Sequence, residues 1–300
     1  TKRETFADYC VYQATIQMPD YQQGEPPYAH GGGGWALDAQ GKPVAPHPMR
    51  SNLWVTVPRR AMPGAGYPTA VFVRTGGGGD RPLVDRGAQL SPGGPAIEPG
   101  TGPALHFAQA GYAGVSVDGP LGGLRNPDMA DEQFLIFNIQ NATALRDNVR
   151  ESALEIALLP YILDGLSIDT RDCPGAAPRT TFDLSQLSLM GHSTGSVIAT
   201  LALAAEPRYR TSILSGAGGS WIENILHKRK PQDVRPLAEI ILGYAQDSRE
   251  LHEHDPALSL VQWAAEPADG QVYAPLVIGK PPGDAPPRHV LMLQGIVDNY

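Results

Sequence analysis

From residue 69 onward the chain alternates short apolar segments with helical segments, and this alternation most constrains its fold. Short apolar segments predict buried strands, and the segments between them have helical length and spacing. Strands that alternate with helices form a mostly parallel sheet with helices on its faces, so the sequence predicts an α/β fold. The predicted strands are 70–73, 114–117, 187–190, 212–214 and 289–293, and the predicted helices among them are 105–110, about 142–163 and 194–204.

Two stretches outside this alternation complete the predicted organisation. Strands 11–18 and 52–57 come first, separated by a Gly- and Pro-rich connection whose glycine run, 31–34, we interpret as a loop. Helical segments at 221–226, 236–244 and 256–265 lie between the last two strands, which is more chain than one crossover needs. We therefore expect a helical cap at roughly 219–285 over the sheet edge where ligands bind. No composition shift marks a boundary, so a single domain over 1–300 is expected.

The sharpest local signal is LSLMGHSTGSVIAT, residues 187–200, which contains a G-x-S-x-G pattern. A predicted strand precedes it and a predicted helix follows it, which is the setting of a nucleophile elbow. So sharp a turn strains its central residue, and only small residues fit at Gly191 and Gly195. The following helix places partial positive charge beside Ser193. We predict that Ser193 is a nucleophile, with a structural Gly-Ser turn as the alternative.

A serine that attacks a carbonyl group needs hydrogen-bond donors for the oxyanion that forms. One expected donor is the backbone N–H of Thr194, the residue after the nucleophile. A second donor is expected from the glycine run that follows strand 70–73, and we predict it among Gly76, Gly77 and Gly78. A flexible linker is the alternative interpretation of this run.

Taken together, VFVRTGGGG, GYAGVSVDGP, GHSTG and VLMLQGIVD resemble the α/β-hydrolase fold over about residues 50–300. NATALRDNVRESALEIALL and DPALSLVQWAAEPADGQVYAP are similar to bacterial extracellular lipases and esterases of that superfamily. The resemblance implies a helical cap inserted after the strand that follows the nucleophile helix. It also implies a catalytic triad in the order serine, acid, histidine. Asp298 stands at the position of the acid, and Glu223 is the reserve candidate.

The histidine of this triad is not evident in the sequence. In the implied order it follows the acid, but only Asn299 and Tyr300 come after Asp298, and all eight histidines precede it. We therefore expect the sequence to lack a C-terminal strand and a histidine loop. The base would then lie beyond residue 300, in a C-terminal segment or a second chain.

The function expected from the elbow and the resemblance is cleavage of a carboxylic ester through an acyl-enzyme on Ser193. His192 in the elbow and Trp221 and Ile222 in the expected cap are predicted to contact the substrate. Because this cap is apolar, an acyl or aromatic ester is favoured as the substrate. An amidase or peptidase that uses the same triad is one alternative. A non-catalytic binding protein on a hydrolase scaffold is the other.

No metal or organic cofactor is expected. His252, His254 and Asp255 form an H-x-H-D group, but a polar run beside a helix start is more often a solvated cap than a metal site. Asp118, after an early strand, is interpreted as a loop anchor. The polar residues at 146–150 are interpreted as a network that supports the elbow.

Charge and cysteine content bound the partners and the compartment. A net charge of −8 argues against nucleic acid and anionic membranes as partners. The most apolar stretch, 197–205, is too short to cross a bilayer. Cys10 and Cys173 fit an exported protein with one disulfide, with two buried free thiols as the alternative. We predict the disulfide and a secreted, periplasmic or extracellular location.

Overall fold

The computed structural model describes residues 1–74, 81–91, 94–138, 140–230, 233–246, 249–281, 283, 285 and 287–295. Within these ranges the strands are β1 (Lys2–Thr5), β2 (Tyr9–Asp20), β3 (His47–Pro58), β4 (Tyr67–Val73), β5 (Ala113–Val117), β6 (Ile168–Asp169), β7 (Arg179–Thr180), β8 (Phe182–His192), β9 (Tyr209–Ser215) and β10 (His289–Leu293). The α-helices are α1 (Pro82–Asp85), α2 (Pro103–Gln109), α3 (Glu132–Phe137), α4 (Ala142–Leu163), α5 (Thr194–Ala205), α6 (Trp221–His227), α7 (Val234–Ile241), α8 (Pro256–Ala265) and α9 (Gly270–Val277).

Eight of these strands form one sheet in the order β1-β2-β3-β5-β4-β8-β9-β10. Strands β5, β4, β8, β9 and β10 run parallel to one another. Strands β1, β2 and β3 are antiparallel to their neighbours, including β3 to β5. The predicted mostly parallel sheet is confirmed, and the two predicted early strands extend it on one side as an antiparallel meander.

Both faces of the sheet are covered, and the side-chain alternation of β4 shows how. Val71 and Val73 point into the larger core, which α4 and α5 close with residues such as Leu159 and Ile198. Phe72, between them, points into the second core, which contains residues of α1 and α2. Because strand side chains alternate between faces, an apolar run such as that of β4 requires helices on both sides.

The predicted helical insertion between β9 and β10 is present, and it contains helices α6 to α9. The insertion has a small apolar cluster of its own, in which Leu226, Leu251 and Leu258 are buried. Helix α9 was not predicted, because Pro275 lies inside it and proline normally interrupts a helix. The predicted helix at 236–244 is shorter, since α7 ends at Ile241 and a separate 3₁₀ turn follows at Tyr244–Gln246.

The β2–β3 connection, residues 21–46, packs onto the first half of α4. The Asn141 side-chain amide donates to the carbonyl oxygens of Tyr28 and Gly32, at 2.9 and 3.1 Å. The backbone N–H of Trp35 donates to Asp147 Oδ2 at 3.0 Å. A Cβ atom on Gly33 would lie 2.6 Å from the Ala144 Cβ, so the connection and the helix approach as closely as glycine allows.

Cys10 of β2 and Cys173, which precedes β7, form a disulfide across 163 residues, with their Cα atoms 5.9 Å apart. The predicted pairing is confirmed, and the bridge ties β2 to the polypeptide between α4 and β8. None of the described helices combines the length and the apolar character needed to cross a bilayer.

Candidate active site

Ser193 occupies a strained turn between β8 and α5. Its backbone has φ +55° and ψ −127°, a conformation that residues with a side chain rarely adopt. Neighbouring hydrogen bonds hold it there: its N–H donates to the Ser215 carbonyl oxygen at 2.8 Å, and its own carbonyl oxygen accepts from the Ser196 N–H at 2.7 Å. The half-buried serine therefore stands directly before the first turn of α5.

The two glycines of the pattern mark close backbone approaches. A Cβ atom on Gly195 would lie 2.6 Å from the Val73 carbonyl oxygen and 2.9 Å from that of Arg74. One on Gly191 would lie 2.3 Å from the Gly195 carbonyl oxygen. The start of α5 therefore packs against the end of β4 with no room for a side chain.

The carboxyl ends of the parallel strands meet around this turn. His192 at the end of β8 pairs with Ser215 at the end of β9, and Ser215 pairs with Leu293 at the end of β10. In open α/β sheets, ligands bind outside the carboxyl ends of the strands. Ser193 therefore lies at the edge of the sheet where a substrate site is expected.

No protein-family model matches the sequence, and no curated protein is significantly similar to it. Several solved structures are similar in fold. An acetyl xylan esterase from Paenibacillus sp. R4 aligns with 98% of this chain and 80% of its own, at TM-score 0.52 and 12% identity. The chain has the α/β-hydrolase fold.

Two other hydrolase structures align at lower TM-scores. An acetyl xylan esterase from a Thermoanaerobacterium species aligns with 84% of this chain and 73% of its own, at TM-score 0.45 and 16% identity. A glucuronoyl esterase from Solibacter usitatus aligns with 97% of this chain and 65% of its own, at TM-score 0.42 and 14% identity.

In this hydrolase fold, two groups of predicted site residues follow strands that end beside Ser193. The glycines at 76–78 come after β4, and Asp298 comes after β10; both groups lie outside the described residues. The last described residues before the glycine run, Val73 and Arg74, contact the start of α5 through their carbonyl oxygens. Thr194 is the first residue of α5, where backbone N–H groups have no partner within the helix.

The predicted substrate contacts lie in different surroundings. The Nδ1 atom of His192 is 3.1 Å from Ser215 Oγ, so its ring is held against β9. Trp221 is half-buried, and its ring meets that of Phe137 edge to face at a centroid distance of 6.3 Å. Its indole N–H donates to the Ala265 carbonyl oxygen at 3.2 Å. Ile222 packs against the apolar cluster inside the α6–α9 insertion.

An ion pair between a buried arginine and a half-buried glutamate lies at the end of β4. Arg74 is 9% exposed, and its guanidinium binds the carboxylate of Glu132 on α3. A cavity of about 30 Å³ lies beside this pair and is walled by Ile136 and Ile198 among others. No local sequence pattern indicates the pair, because the partners are 58 residues apart and belong to different elements.

Three further acidic residues are buried, one directly after β5 and two on α4. Asp118 accepts hydrogen bonds from the Asn52 N–H at 3.1 Å and from the Asn52 side-chain amide at 2.7 Å, which is a structural anchoring role. Arg125 is paired with Glu155, and both are buried. Burial raises the pKa of Glu151 to about 8, and the neighbouring carboxylates of Glu155 and Asp20 add to this effect.

The polar residues at 146–150 form a local network. Asp147 accepts hydrogen bonds from the guanidinium groups of Arg146 and Arg150, both at 2.7 Å. Asn148 donates to the carbonyl oxygens of Leu135 and Ile136, at 3.1 and 3.0 Å. The Asn148 bonds join α4 to α3, and the bond from the Trp35 N–H to Asp147 joins α4 to the β2–β3 connection.

The remaining candidate residues lie at the surface or at a helix start. Glu223 is exposed, and its carboxylate is 3.4 Å from the His227 imidazole. Asp255 accepts a hydrogen bond from the Ala257 N–H at 2.9 Å, which makes it the N-cap of α8. Apart from His192, the histidines of the chain are exposed. In the part of the chain that the structure describes, no group of three or more His, Cys, Asp or Glu residues could hold a metal ion.

Proposed function

We propose that the protein is a serine hydrolase that cleaves carboxylic esters through an acyl-enzyme on Ser193. The observation that carries this proposal is the strained backbone of Ser193 between a parallel strand and the helix α5. A strained residue persists only where its surroundings hold it in place, and such residues are common at active sites. The similar fold of the acetyl xylan esterase, at TM-score 0.52, further supports the proposal, because that protein is an esterase.

In the proposed reaction the Ser193 Oγ attacks the ester carbonyl carbon while its proton passes to a histidine. The Thr194 N–H, at the start of a helix, and an N–H from the glycine run at 76–78 donate hydrogen bonds to the oxyanion and stabilise it. Collapse of the tetrahedral intermediate releases the alcohol, which takes up the proton. Water then attacks the acyl-enzyme, releases the carboxylic acid and regenerates the serine.

Asp298 is proposed to orient that histidine. The support is the position of β10: its last residue, Leu293, pairs with Ser215, which in turn pairs with His192. The chain therefore leaves β10 at the sheet edge where Ser193 stands. Glu223 has weaker support, because it is exposed on α6 and lies beside His227.

The proposed substrate is an ester with an apolar acyl or aromatic portion. Its support is the aromatic pair of Phe137 and Trp221, one from α3 and one from the insertion. We also propose that the protein is exported, because disulfides such as Cys10–Cys173 persist mainly in oxidising compartments.

A fluorophosphonate reagent tests the nucleophile directly. The intact protein is expected to gain one adduct on Ser193, located by peptide mass spectrometry, and Ser193→Ala is expected to abolish it without loss of the folded circular-dichroism spectrum. Ser188→Ala is the matched control and is expected to keep the adduct, because the Ser188 hydroxyl contacts that of Thr211 on β9 and makes no bond to the turn around Ser193. An adduct on another residue would contradict the proposal.

A set of chromogenic substrates tests the leaving group. p-Nitrophenyl esters are expected to turn over faster than p-nitroanilides with the same acyl group. The reverse order would favour an amidase. No turnover of either class, together with no adduct on Ser193, would favour a binding protein on a hydrolase scaffold.

A further inference from the structure

Ser215, the last residue of β9, contacts the elbow through its carbonyl oxygen. This single oxygen accepts hydrogen bonds from the Ser193 N–H and from the Ser196 hydroxyl, both at 2.8 Å. The first bond holds the strained residue, and the second holds the first turn of α5. One carbonyl group therefore fixes the elbow from both sides of the turn.

The side chain of Ser215 makes a separate contact. Its Oγ atom is 3.1 Å from Nδ1 of His192, the residue directly before Ser193. A serine hydroxyl can donate or accept, so this contact can exist with either neutral tautomer of the imidazole. The contact restricts the rotation of the ring beside the nucleophile.

The chain on the other side of Ser215 is tied to β10. Gly216 has φ +60°, which turns the backbone away, and its N–H donates to the Leu293 carbonyl oxygen at 2.8 Å. Leu293 is also the pairing partner of Ser215. Ser215 thus lies between the nucleophile turn and the strand from which the chain continues toward Asp298.

We propose that Ser215 is a positioning residue of the Ser193 site: its hydroxyl fixes the orientation of the His192 ring beside the nucleophile, and turnover depends on that orientation. Only the expected effect on turnover rests on the proposed function; the orientation of the His192 ring does not. The carbonyl contacts belong to the backbone, so replacing the side chain removes the contact with His192 and leaves the two bonds to the elbow.

Steady-state kinetics with a p-nitrophenyl ester provide the catalytic test. Ser215→Ala is expected to lower kcat about fivefold, the size expected for one neutral hydrogen bond, with KM little changed. Ser215→Thr, which keeps the hydroxyl, is expected to restore kcat. In a His192→Ala background, Ser215→Ala is expected to have no further effect, because the partner is already absent. Fully additive effects would overturn the proposal.

Ser188→Ala is the matched control. The hydroxyl groups of Ser188 on β8 and Thr211 on β9 contact each other in the same pair of strands, near the end of the pairing that lies away from the elbow. Loss of this hydroxyl contact is expected to leave kcat unchanged. A fall in kcat equal to that of Ser215→Ala would mean that any weakening of the β8–β9 pair lowers activity, and would overturn the specific role of Ser215.

Nuclear magnetic resonance of the His192 ring provides a test that needs no activity. Ser215→Ala is expected to shift the ¹⁵N signals of His192 and its titration, and Ser215→Thr to restore them. Unchanged ring signals would overturn the proposal even if kcat falls. If Ser193 forms no fluorophosphonate adduct, the proposed function fails, while the ring signals still decide whether Ser215 holds His192.

Discussion

At the scale of single residues, the space around the turn at Ser193 is limited by backbone atoms rather than by side chains. The atoms nearest to a Cβ on Gly195 are the carbonyl oxygens of Val73 and Arg74, and a strand cannot move these without shifting its own hydrogen bonds. A side chain there would push α5 away from β4. Because Ser193 immediately precedes α5, the position of its hydroxyl depends on the absence of that side chain.

Gly195→Ala is therefore expected to slow fluorophosphonate labelling of Ser193 at least about tenfold and to lower the free energy of unfolding by about 1–3 kcal/mol, the usual cost of overpacking. Labelling rates and urea unfolding measure the two effects. Gly64→Ala is the control, since a Cβ on Gly64 would meet nothing within 4 Å. Labelling of Gly195→Ala at the rate of the unchanged protein would contradict the close packing.

At the residue level, the strained turn at Ser193 could be predicted because its signal is local, whereas the role of Ser193 as a nucleophile stays a prediction. The elbow is visible because the glycines, the serine, the strand and the helix are consecutive. Ser215 was not visible, because its contact with His192 spans 23 residues and depends on the register of two parallel strands. The Arg74–Glu132 pair was missed for the same reason: a long-range pair leaves no local pattern in either segment.

At the scale of elements, the contact between the β2–β3 connection and α4 includes a carboxyl group that is costly to ionise. The Glu151 Oε2 atom accepts a hydrogen bond from the Tyr21 N–H at 3.3 Å, and the residue is buried. Desolvation, followed by the charges of Glu155 and Asp20, raises its pKa from 4.5 to about 8. The folded protein therefore binds a proton here that the unfolded chain releases at lower pH.

Between about pH 4.5 and about 8, the folded state holds more protons at Glu151 than the unfolded state, so the free energy of unfolding falls as pH rises through this window. Glu151→Gln keeps an oxygen acceptor for Tyr21 but cannot ionise. It is expected to flatten this part of the pH–stability curve and to be more stable than the unchanged protein above pH 8. Urea unfolding at several pH values measures the curve.

Glu98→Gln is the matched control, because Glu98 is exposed. This substitution should leave the slope of the free energy of unfolding against pH unchanged. An equal slope for Glu151→Gln and the unchanged protein would show that Glu151 does not resist ionisation in the folded state.

The Cys10–Cys173 disulfide joins β2 to the connection between α4 and β8. Replacing both cysteines by alanine is expected to lower the free energy of unfolding by about 2–5 kcal/mol, because the unfolded chain regains the freedom of a long loop. Urea unfolding with and without reductant measures this, and reductant should not affect the double variant. Equal stability of the two proteins under oxidising conditions would contradict the expectation.

Elements were predictable in proportion to the length of their apolar pattern. Helix α4 and the strands β4, β5 and β10 were predicted within three residues at each end. Strand β8 begins at Phe182, five residues before the predicted start, because its first residues alternate with polar ones. Strand β1 was missed, since its four residues are alternately half-exposed and exposed at the sheet edge. The short strands β6 and β7 carry no apolar repeat that could have identified them.

At the scale of the whole molecule, strand β10 forms one edge of the sheet. Strand β10 pairs with β9, and among the described strands none pairs with its other side. Leu291, Met292 and Leu293 are about half or more exposed there, at 53%, 61% and 48%. An exposed apolar edge strand offers unpaired backbone groups to other chains.

A polypeptide of residues 1–300 is therefore expected to self-associate as its concentration rises, and Met292→Lys is expected to weaken this, because a charge on an edge strand opposes pairing. Light scattering after size-exclusion chromatography measures the mass at each concentration. Met129→Lys is the matched control, since Met129 is 87% exposed on a turn away from the edge. A concentration-independent mass would contradict the expectation.

The disulfide also gives the molecule a covalent ring. Residues 10–173 are closed by the sulfur atoms, and Ser193 lies on the polypeptide that continues outside the ring. A protease that cuts once in the β2–β3 connection, residues 21–46, would open the ring without releasing a fragment. The nicked protein would keep the mass of one molecule until a reductant separated it into two, so nicking would pass unnoticed in a non-reducing gel.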